Sequence, residues 1–370
     1  MGVTKKKLGV GIIGGSASNG WAKNTHIPAV QHLPNLELVA VSTSNWDSAF
    51  ESAREFQAAH AFVGAEDLSR HSDVDLVVVS VKARDHFEAI KAAISANKAV
   101  YSEWPLGINT TQAIELQEMA EAKNIPTAIG LQARQAPAIN YLKDLISEGF
   151  IGRPLSANLT INSKQMGGTA LKRDAYLFNR EEGGGLLTIA GGHALDALTY
   201  LLDDFKELSA TTANHFPKAH LTDTDEWIEK STEDQILIAG TLKNNMVVNV
   251  HIQAGVHHNE GTRLEIYGEK GTLVLSSPIR IQRGPYTLMG ATFEEETLKE
   301  LPVPEKYSSI PDSIKSKGGP VVNVAQAHVE FAKEILEGHS NIASFADAVK
   351  IHKLLDAIIE SADTGERQSF

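Results

Sequence analysis

Two segments of this chain carry residue types whose spacing could do chemistry. The first is Gly11-Ile-Ile-Gly14-Gly-Ser-Ala-Ser-Asn-Gly20-Trp21, an apolar run that breaks into a glycine-rich turn near the N-terminus. Such a turn brings backbone N–H groups up to a pyrophosphate, which then rests on the positive end of the following helix. Counted from Gly14, a strict G-x-G-x-x-G needs glycine where Ser16 and Asn19 stand, and Gly20 closes the motif one residue late. The same stretch also reads as a plain strand–turn–helix join. The second segment is Gly183-Gly-Gly-Leu-Leu-Thr-Ile189-Ala-Gly-Gly-His193-Ala-Leu-Asp196. Two consecutive glycines inside a helix cost roughly 2 kcal/mol relative to alanine, so Gly191-Gly192 imply close approach of a neighbour to that face. His193 is the residue there able to exchange a proton near neutral pH. A lone helical histidine is also a common core residue, so both readings stand.

Three further groups bear on the same chemistry. After the second expected strand comes Val41-Ser42-Thr43-Ser44, with no carboxylate where an NAD-specific site bonds the ribose 2′-hydroxyl. That absence permits a 2′-phosphate, which the hydroxyls of Thr43 and Ser44 can approach, and favours NADP over NAD. In Glu103-Trp104-Pro105 the proline restrains Trp104 to an extended backbone and favours a cis bond. Trp104 reads equally as core filling or as a wall of a nicotinamide pocket. Lys164, Lys172, Arg173 and Tyr176 precede the glycine-rich helix start and read either as cleft residues or as a solvated loop. Arg134 suits a substrate oxygen or a salt bridge.

Elements that would position these groups follow from periodicity. Leu8–Ile13, Leu36–Val41, Leu76–Val81, Ala99–Tyr101 and Thr127–Leu131 read as buried strands alternating with helices, the pattern of a parallel sheet with crossover connections. Asp85 with Glu88, and Asn109 with Gln112, read as capping boxes. A helix from Pro137 to Glu148 is expected to stop at Gly149. The pattern then changes: Pro154–Lys164 alternates as a half-buried antiparallel strand. A helix over 186–202 and strands at 207–215, 234–242, 246–253, 263–267 and 272–275 follow. Helices over 322–336 and 346–361 close the chain, the second capped by Ser344 and Asp347, and 302–320 reads as an irregular surface loop. The expected fold class is α/β: an N-terminal Rossmann doubly wound parallel sheet over 1–132, then an α+β domain with a large, mostly antiparallel sheet over 133–370. A ligand is expected in the cleft between them.

Composition bounds the function class. At 370 residues the chain is too long for one ordinary core. With 42% apolar and 22% charged residues it is a soluble globular type. The net charge of −12 is diffuse, and Lys5-Lys6-Lys7 is the one basic run, so direct nucleic-acid binding is not expected. There is no cysteine, which excludes disulfides, thiolate metal sites and thiol nucleophiles and suits a cytoplasmic setting. No apolar run is long enough to span a membrane. No metal site is expected.

These segments, in this order, resemble the glucose–fructose oxidoreductase / inositol dehydrogenase (Gfo/Idh/MocA) family over nearly the whole chain. The supporting stretches are His26-Ile-Pro28-Ala, Val81 to His86, Glu103-Trp-Pro105, Gln132-Ala-Arg134, Glu148-Gly-Phe-Ile-Gly152, Gly183 to Asp196, Leu264-Glu-Ile-Tyr-Gly268 and Phe345 to Gly365. The lengthened glycine turn with Gly20-Trp21-Ala22, Thr25-His26 and Pro28-Ala29 is most similar to a subgroup that includes the fungal galactose-regulon repressor. The resemblance implies a coenzyme site at Gly14, Ser16, Asn19, Gly20, Trp21, Thr43, Ser44, Ser80, His86, Glu103, Trp104 and Gln132. It also implies His193 as the catalytic acid/base; Lys172 and Tyr176, placed just before the glycine-rich helix start, are further catalytic candidates by position. Two departures stand out. Active members usually carry lysine where this chain has Trp104, and aspartate four residues before the histidine, where it has Ile189.

The expected function is therefore NAD(P)-dependent hydride transfer on a sugar-like or polyol substrate, with His193 exchanging the proton. The alternative is a catalytically silent, dinucleotide-sensing regulator like the repressor. A third reading keeps the coenzyme bound and recycled during elimination or hydrolysis of a glycoside. A homo-oligomer formed through the C-terminal sheet is expected in any of these cases.

Overall fold

The computed structural model describes residues 7–18, 20–258 and 261–370. The chain divides into two compact units, residues 1–135 with 308–350, and residues 136–307 with 351–370. The chain then returns to the first unit for the segment 308–350, which a single boundary does not provide for.

In the first unit six parallel strands form one sheet: β1 (Leu8–Ile13), β2 (Leu36–Thr43), β3 (His60–Val63), β4 (Leu76–Val79), β5 (Ala99–Ser102) and β6 (Thr127–Ile129). Their order, β3-β2-β1-β4-β5-β6, is the doubly wound one, with its switch point between β1 and β4. β1 and β4 are buried along their whole length, as strands covered on both faces must be. β3, which hydrophobic patterning did not reveal, is an edge strand and only half-buried throughout. The returning segment contributes the helix Pro320–Glu337, whose Val324 and Phe331 join Ile12, Val78 and Tyr101 in one core. Ile310 and Ile314 are buried in that core too, so part of the expected surface loop is an anchor.

Capping chemistry is partly as expected. Asn109 accepts the Gln112 N–H at 2.9 Å to start the helix Thr110–Ala122. Ser344 and Asp347 bond reciprocally, with Ser344 N–H to Asp347 Oδ2 at 2.8 Å. Asp85 makes no cap bond, because a short 3₁₀ turn (Ala83–Asp85) leads directly into the helix His86–Ser95 and holds Asp85 in helical geometry.

The second unit is built on a nine-stranded sheet. Its order is 299–300, 287–292, 271–277, 262–268, 154–163, 247–254, 235–242, 205–213 and 368–369. Pro154–Ser163 was expected to be antiparallel. It is so toward 262–268 but runs parallel to 247–254, the one parallel pair among the described strands of this sheet. A small sheet of 226–229, 218–221 and 169–170 lies outside the expected elements. The helix Pro137–Ser147 stops before Gly149, whose φ of +81° only glycine adopts readily. The glycine-rich segment forms one π turn (Leu187–Gly191) running into an α-helix (Gly192–Leu202). A Cβ on Gly191 would stand 3.3 Å from Ile252 Cδ1, so this glycine admits the sheet itself. Among the described residues no helix is long and apolar enough to cross a membrane.

Candidate functional site

In the first unit the expected coenzyme residues gather at the carboxyl ends of the parallel strands, where such sheets bind ligands. Gly14 ends β1 with φ +88°, and a Cβ there would sit 2.2 Å from the Ser80 carbonyl beyond β4. The turn is pinned by Gly14 N–H to the Ser42 carbonyl at 2.9 Å, Ser16 N–H to the Gly14 carbonyl at 3.0 Å and Ala17 N–H to Ser52 Oγ at 2.8 Å. Lys23 donates to the Ala17 carbonyl. Gly20 has φ +129° with open space where a Cβ would be, and precedes the short helix Trp21–Asn24. Asn19 lies outside the described residues.

At the end of β2, Thr43 Oγ1 sits 2.5 Å from Ser48 Oγ and 3.0 Å from the Asn45 carbonyl, while Ser44 is exposed. Just beyond, Trp46 and Phe50 stack with centroids 5.4 Å apart and are both exposed, a pair that strand-end reasoning passed over. At the end of β5, Glu103 places Oε1 2.9 Å from His26 Nε2, and its carboxyl group lies on Gly130, where a Cβ would come within 2.9 Å. Trp104 is buried and its bond to Pro105 is cis. Past β6, Gln132 is 1% exposed, and neither its Nε2 nor its Oε1 has a hydrogen-bond partner. A buried amide left unmatched on both sides, at the carboxyl end of a parallel sheet, fits the edge of a bound dinucleotide.

His86 does not belong to that set. Its Nδ1 lies 2.7 Å from the Pro105 carbonyl and its Nε2 3.2 Å from the Val81 carbonyl, so both ring nitrogens are spent on backbone. Burial holds its pKa below the ordinary value. Its work is to tie the Trp104-Pro105 turn to the end of β4. Arg134 is likewise structural, with Nη1 3.0 Å from Asp347 Oδ1.

In the second unit His193 is buried near the start of the helix Gly192–Leu202. Its Nδ1 has no hydrogen-bond partner. Burial first, then the positive fields of Arg280 and Arg283, push its pKa down to about 3, so the ring is neutral at physiological pH. The π turn just before it displaces Ile189 from the regular i, i+4 relation, and such turns recur at functional sites. Tyr176 joins the group: burial raises its pKa, and Arg280 is among the charges acting on it. Lys172 does not. Its ammonium is exposed and paired with Glu226 Oε2 at 3.1 Å, which carries it to the small three-stranded sheet. Arg173 turns to Asp174 at 3.7 Å, and Lys164 is exposed.

Arg280 and Arg283 are the residues that sequence reasoning missed. The available signal was two arginines three apart within Pro278-Ile-Arg-Ile-Gln-Arg-Gly, in an acidic chain.

Comparison with known proteins agrees with this fold. Residues 8–130 match the family described as "Oxidoreductase family, NAD-binding Rossmann fold", and residues 137–277 match "Gal80p, C-terminal domain". Dehydrogenase aclE of Aspergillus oryzae is 30% identical over 99% of this chain and 99% of its own length. The galactose/lactose metabolism regulatory protein GAL80 of Kluyveromyces lactis is 30% identical over 73% of this chain and 64% of its own length. A solved structure of levoglucosan dehydrogenase in complex with NADH and levoglucosan superposes with a TM-score of 0.84 at 22% identity, covering 98% of this chain and 99% of that one. Its likeness bears on the fold. With the doubly wound sheet, the glycine turn and a full-length relative in hand, the chain belongs to the Gfo/Idh/MocA oxidoreductase family, in the branch whose second domain is Gal80-like.

Proposed function

We propose that this protein is an NAD(P)-dependent oxidoreductase acting on a sugar-like or polyol substrate, with His193 as the proton-exchanging group. The coenzyme is held at the strand ends of the first unit by the Gly14–Gly20 turn, Glu103 and Gln132. When bound, it supplies the hydride acceptor or donor. His193 takes the hydroxyl proton during oxidation and returns it during reduction. A neutral imidazole is the form needed for the first of these tasks, and burial together with two nearby guanidiniums maintains it. Arg280 and Arg283 stabilise the developing alkoxide, the task that lysine performs in relatives where this chain has Trp104. The observation that carries the reading is the buried His193 ring, with Nδ1 unmatched and cationic groups around it.

The coenzyme is taken to be NADP in preference to NAD, since residues 42–45 bear no carboxylate and Ser44 is open to a 2′-phosphate. Dissociation constants for the two, measured by fluorescence titration, decide this. Self-association is assigned to the outer face of the nine-stranded sheet, where Leu237, Val247 and Tyr267 are exposed, and sedimentation of Val247→Glu against the parent tests it.

The experiment for the main reading uses purified full-length protein, either coenzyme, and a panel of aldoses, lactones and inositols, followed at the reduced-nicotinamide absorbance. Turnover lost in His193→Ala is the expected result. Turnover that survives this change overturns the role. One observation favours a second reading, a coenzyme-binding regulator: Trp104 is buried at the lysine position and Ile189 replaces the aspartate. Tight coenzyme uptake with no turnover across the panel would establish it.

A further inference from the structure

At the amino-terminal side of the parallel sheet, opposite the expected coenzyme site, three side chains converge that the proposed chemistry does not use. β3 begins at His60, and the helix Glu66–Arg70 returns the chain so that His71 and Asp73 stand just ahead of β4. His60 Nε2 lies 2.9 Å from Asp73 Oδ2, and His71 Nδ1 lies 3.9 Å from the same oxygen. The two imidazole centroids are 4.0 Å apart. Among the described residues these three side chains bring one ligand atom each within 4.8 Å of the others. The histidine side chains are 32% and 28% exposed, which leaves an ion a path in from solvent.

The backbone beneath them is fixed. The Val74 N–H donates to the His71 carbonyl at 3.2 Å, and Lys98 Nζ donates to the His71 carbonyl at 3.1 Å and the Val74 carbonyl at 2.6 Å. A Cβ on Gly9 would stand 1.9 Å from the Asp73 carbonyl, so the turn is seated directly on β1. The Phe62 ring lies against both imidazoles, with centroids 6.3 Å from His60 and 5.6 Å from His71.

The Asp73 N–H faces His71 Nδ1 at 3.3 Å. An N–H donates, so this nitrogen presents a lone pair, the state in which an imidazole binds a metal. A hydrogen bond pinning β3 to the turn requires His60 and Asp73 alone, whereas a cation also engages the second imidazole. Ligand atoms around a tetrahedral zinc stand about 3.3 Å apart, given bonds of about 2.0–2.1 Å. The separations of 2.9 and 3.9 Å bracket that value, so the set is within reach of side-chain rotation. The chain has no cysteine, so a transition metal must be held by nitrogen and oxygen, and this cluster offers both.

We propose that His60, His71 and Asp73 bind a divalent cation of the zinc class as a structural clamp, separate from the coenzyme end of the sheet. Two imidazoles and one carboxylate suit zinc, whereas calcium and magnesium take oxygen ligands. The clamp ties the start of the edge strand β3 to the turn entering β4. Just past the other end of β3, the Gly64 carbonyl accepts the Ser42 hydroxyl, so fixing β3 also steadies the end of β2 where the coenzyme ribose is expected.

Calorimetric titration of the full chain with ZnCl2, after chelator treatment and without a histidine tag, tests the proposal. One equivalent is expected to bind with a dissociation constant at or below about 10 μM. His60→Ala, His71→Ala and Asp73→Asn are each expected to weaken zinc at least about tenfold, since even outer-shell partners are worth about 10–100-fold. Zinc at about 100 μM should raise the parent's thermal midpoint and leave those of the variants unchanged. No uptake at about 100 μM overturns the proposal, as does uptake that survives all three substitutions. Magnesium binding as tightly as zinc overturns the choice of cation. Should a variant fail to fold, the parent decides. The ring resonances of His60 and His71 are expected to shift with the first equivalent of zinc, and a shift confined to other histidines overturns the site.

Discussion

His26 Nε2 lies 2.9 Å from Glu103 Oε1, joining the helix His26–His32 to the end of β5 at the expected coenzyme site. On the far side of the same ring, His26 Nδ1 lies 2.9 Å from His328 Nε2, so two buried imidazoles share one proton behind the carboxylate. A carboxylate accepts, so the His26 nitrogen facing Glu103 carries the hydrogen. The chain is buried against Tyr101, whose ring stacks on His328 with centroids 5.0 Å apart.

His26→Ala is therefore expected to strand the Glu103 carboxylate and open a cavity beneath it. Losing a hydrogen bond to a part-buried carboxylate costs about 1.5–3 kcal/mol. Urea unfolding should show a lower midpoint with unchanged slope, and coenzyme titration should show weakened binding because Glu103 has lost its support. An unaltered midpoint and unaltered coenzyme affinity would rule out any anchoring role for the contact.

The glycine turn separates steric from conformational demand. Gly14→Ala meets the Ser80 carbonyl at 2.2 Å as well as an unfavourable φ of +88°, so β1 and β4 must move apart. Gly20→Ala meets nothing within 4 Å, and only its φ of +129° opposes the change. The first substitution is expected to cost roughly 3 kcal/mol and abolish coenzyme uptake, the second about 1–2 kcal/mol with uptake weakened. Thermal unfolding and fluorescence titration of both variants check the order, which would have to be reversed for the account to fail.

Much of the parallel sheet was legible because strands buried on both faces read as unbroken apolar runs: Leu8–Ile13 and Leu76–Val79 are such runs. His60–Val63 was not, since an edge strand need not be apolar, and its residues are half-buried. The segment 302–320 carries four prolines and reads as a loop, yet Ile310 and Ile314 reach the first unit's core, a long-range contact with no local signature. His193 was visible through its glycines, although Gly191 proves to accommodate Ile252 of the sheet. The charges that set its protonation were not visible, because Arg280 lies 87 residues further along the chain (280 − 193) and only folding brings it near.

Four buried histidines make acid the vulnerable side of this fold. Burial holds His86 and His328 below the ordinary value, His193 at about 3 and His352 at about 4. Their unfolded pKa is 6.5, so below that pH the unfolded chain takes up protons that the native chain refuses. Stability from this source is complete above pH 6.5 and declines as pH falls toward the folded values. Each group contributes a slope of up to ~1.4 kcal/mol per pH unit once the unfolded form is protonated. Urea midpoints should be level between about pH 8 and 7 and drop steeply from about 6 to 5. Level midpoints through the acid range would show that these rings charge freely in the native state.

The pH profile of turnover tests the role of His193 itself. An ordinary catalytic histidine gives an acid limb in kcat/KM near 6.5, because the base form is lost there. Here burial and the guanidiniums of Arg280 and Arg283 keep the free enzyme's imidazole neutral down to about 3. Oxidation is therefore expected to show no acid limb near 6.5 at any pH where the fold survives. Arg280→Gln removes the larger of the two positive fields, so the imidazole becomes easier to protonate and its titration moves upward. Imidazole proton resonances followed by NMR between about pH 5 and 8 read this directly: His193 should be invariant in the parent and begin to shift at the acid end in the variant. A parent resonance titrating with a midpoint near 6.5 would place this ring in water and remove it from the acid/base role.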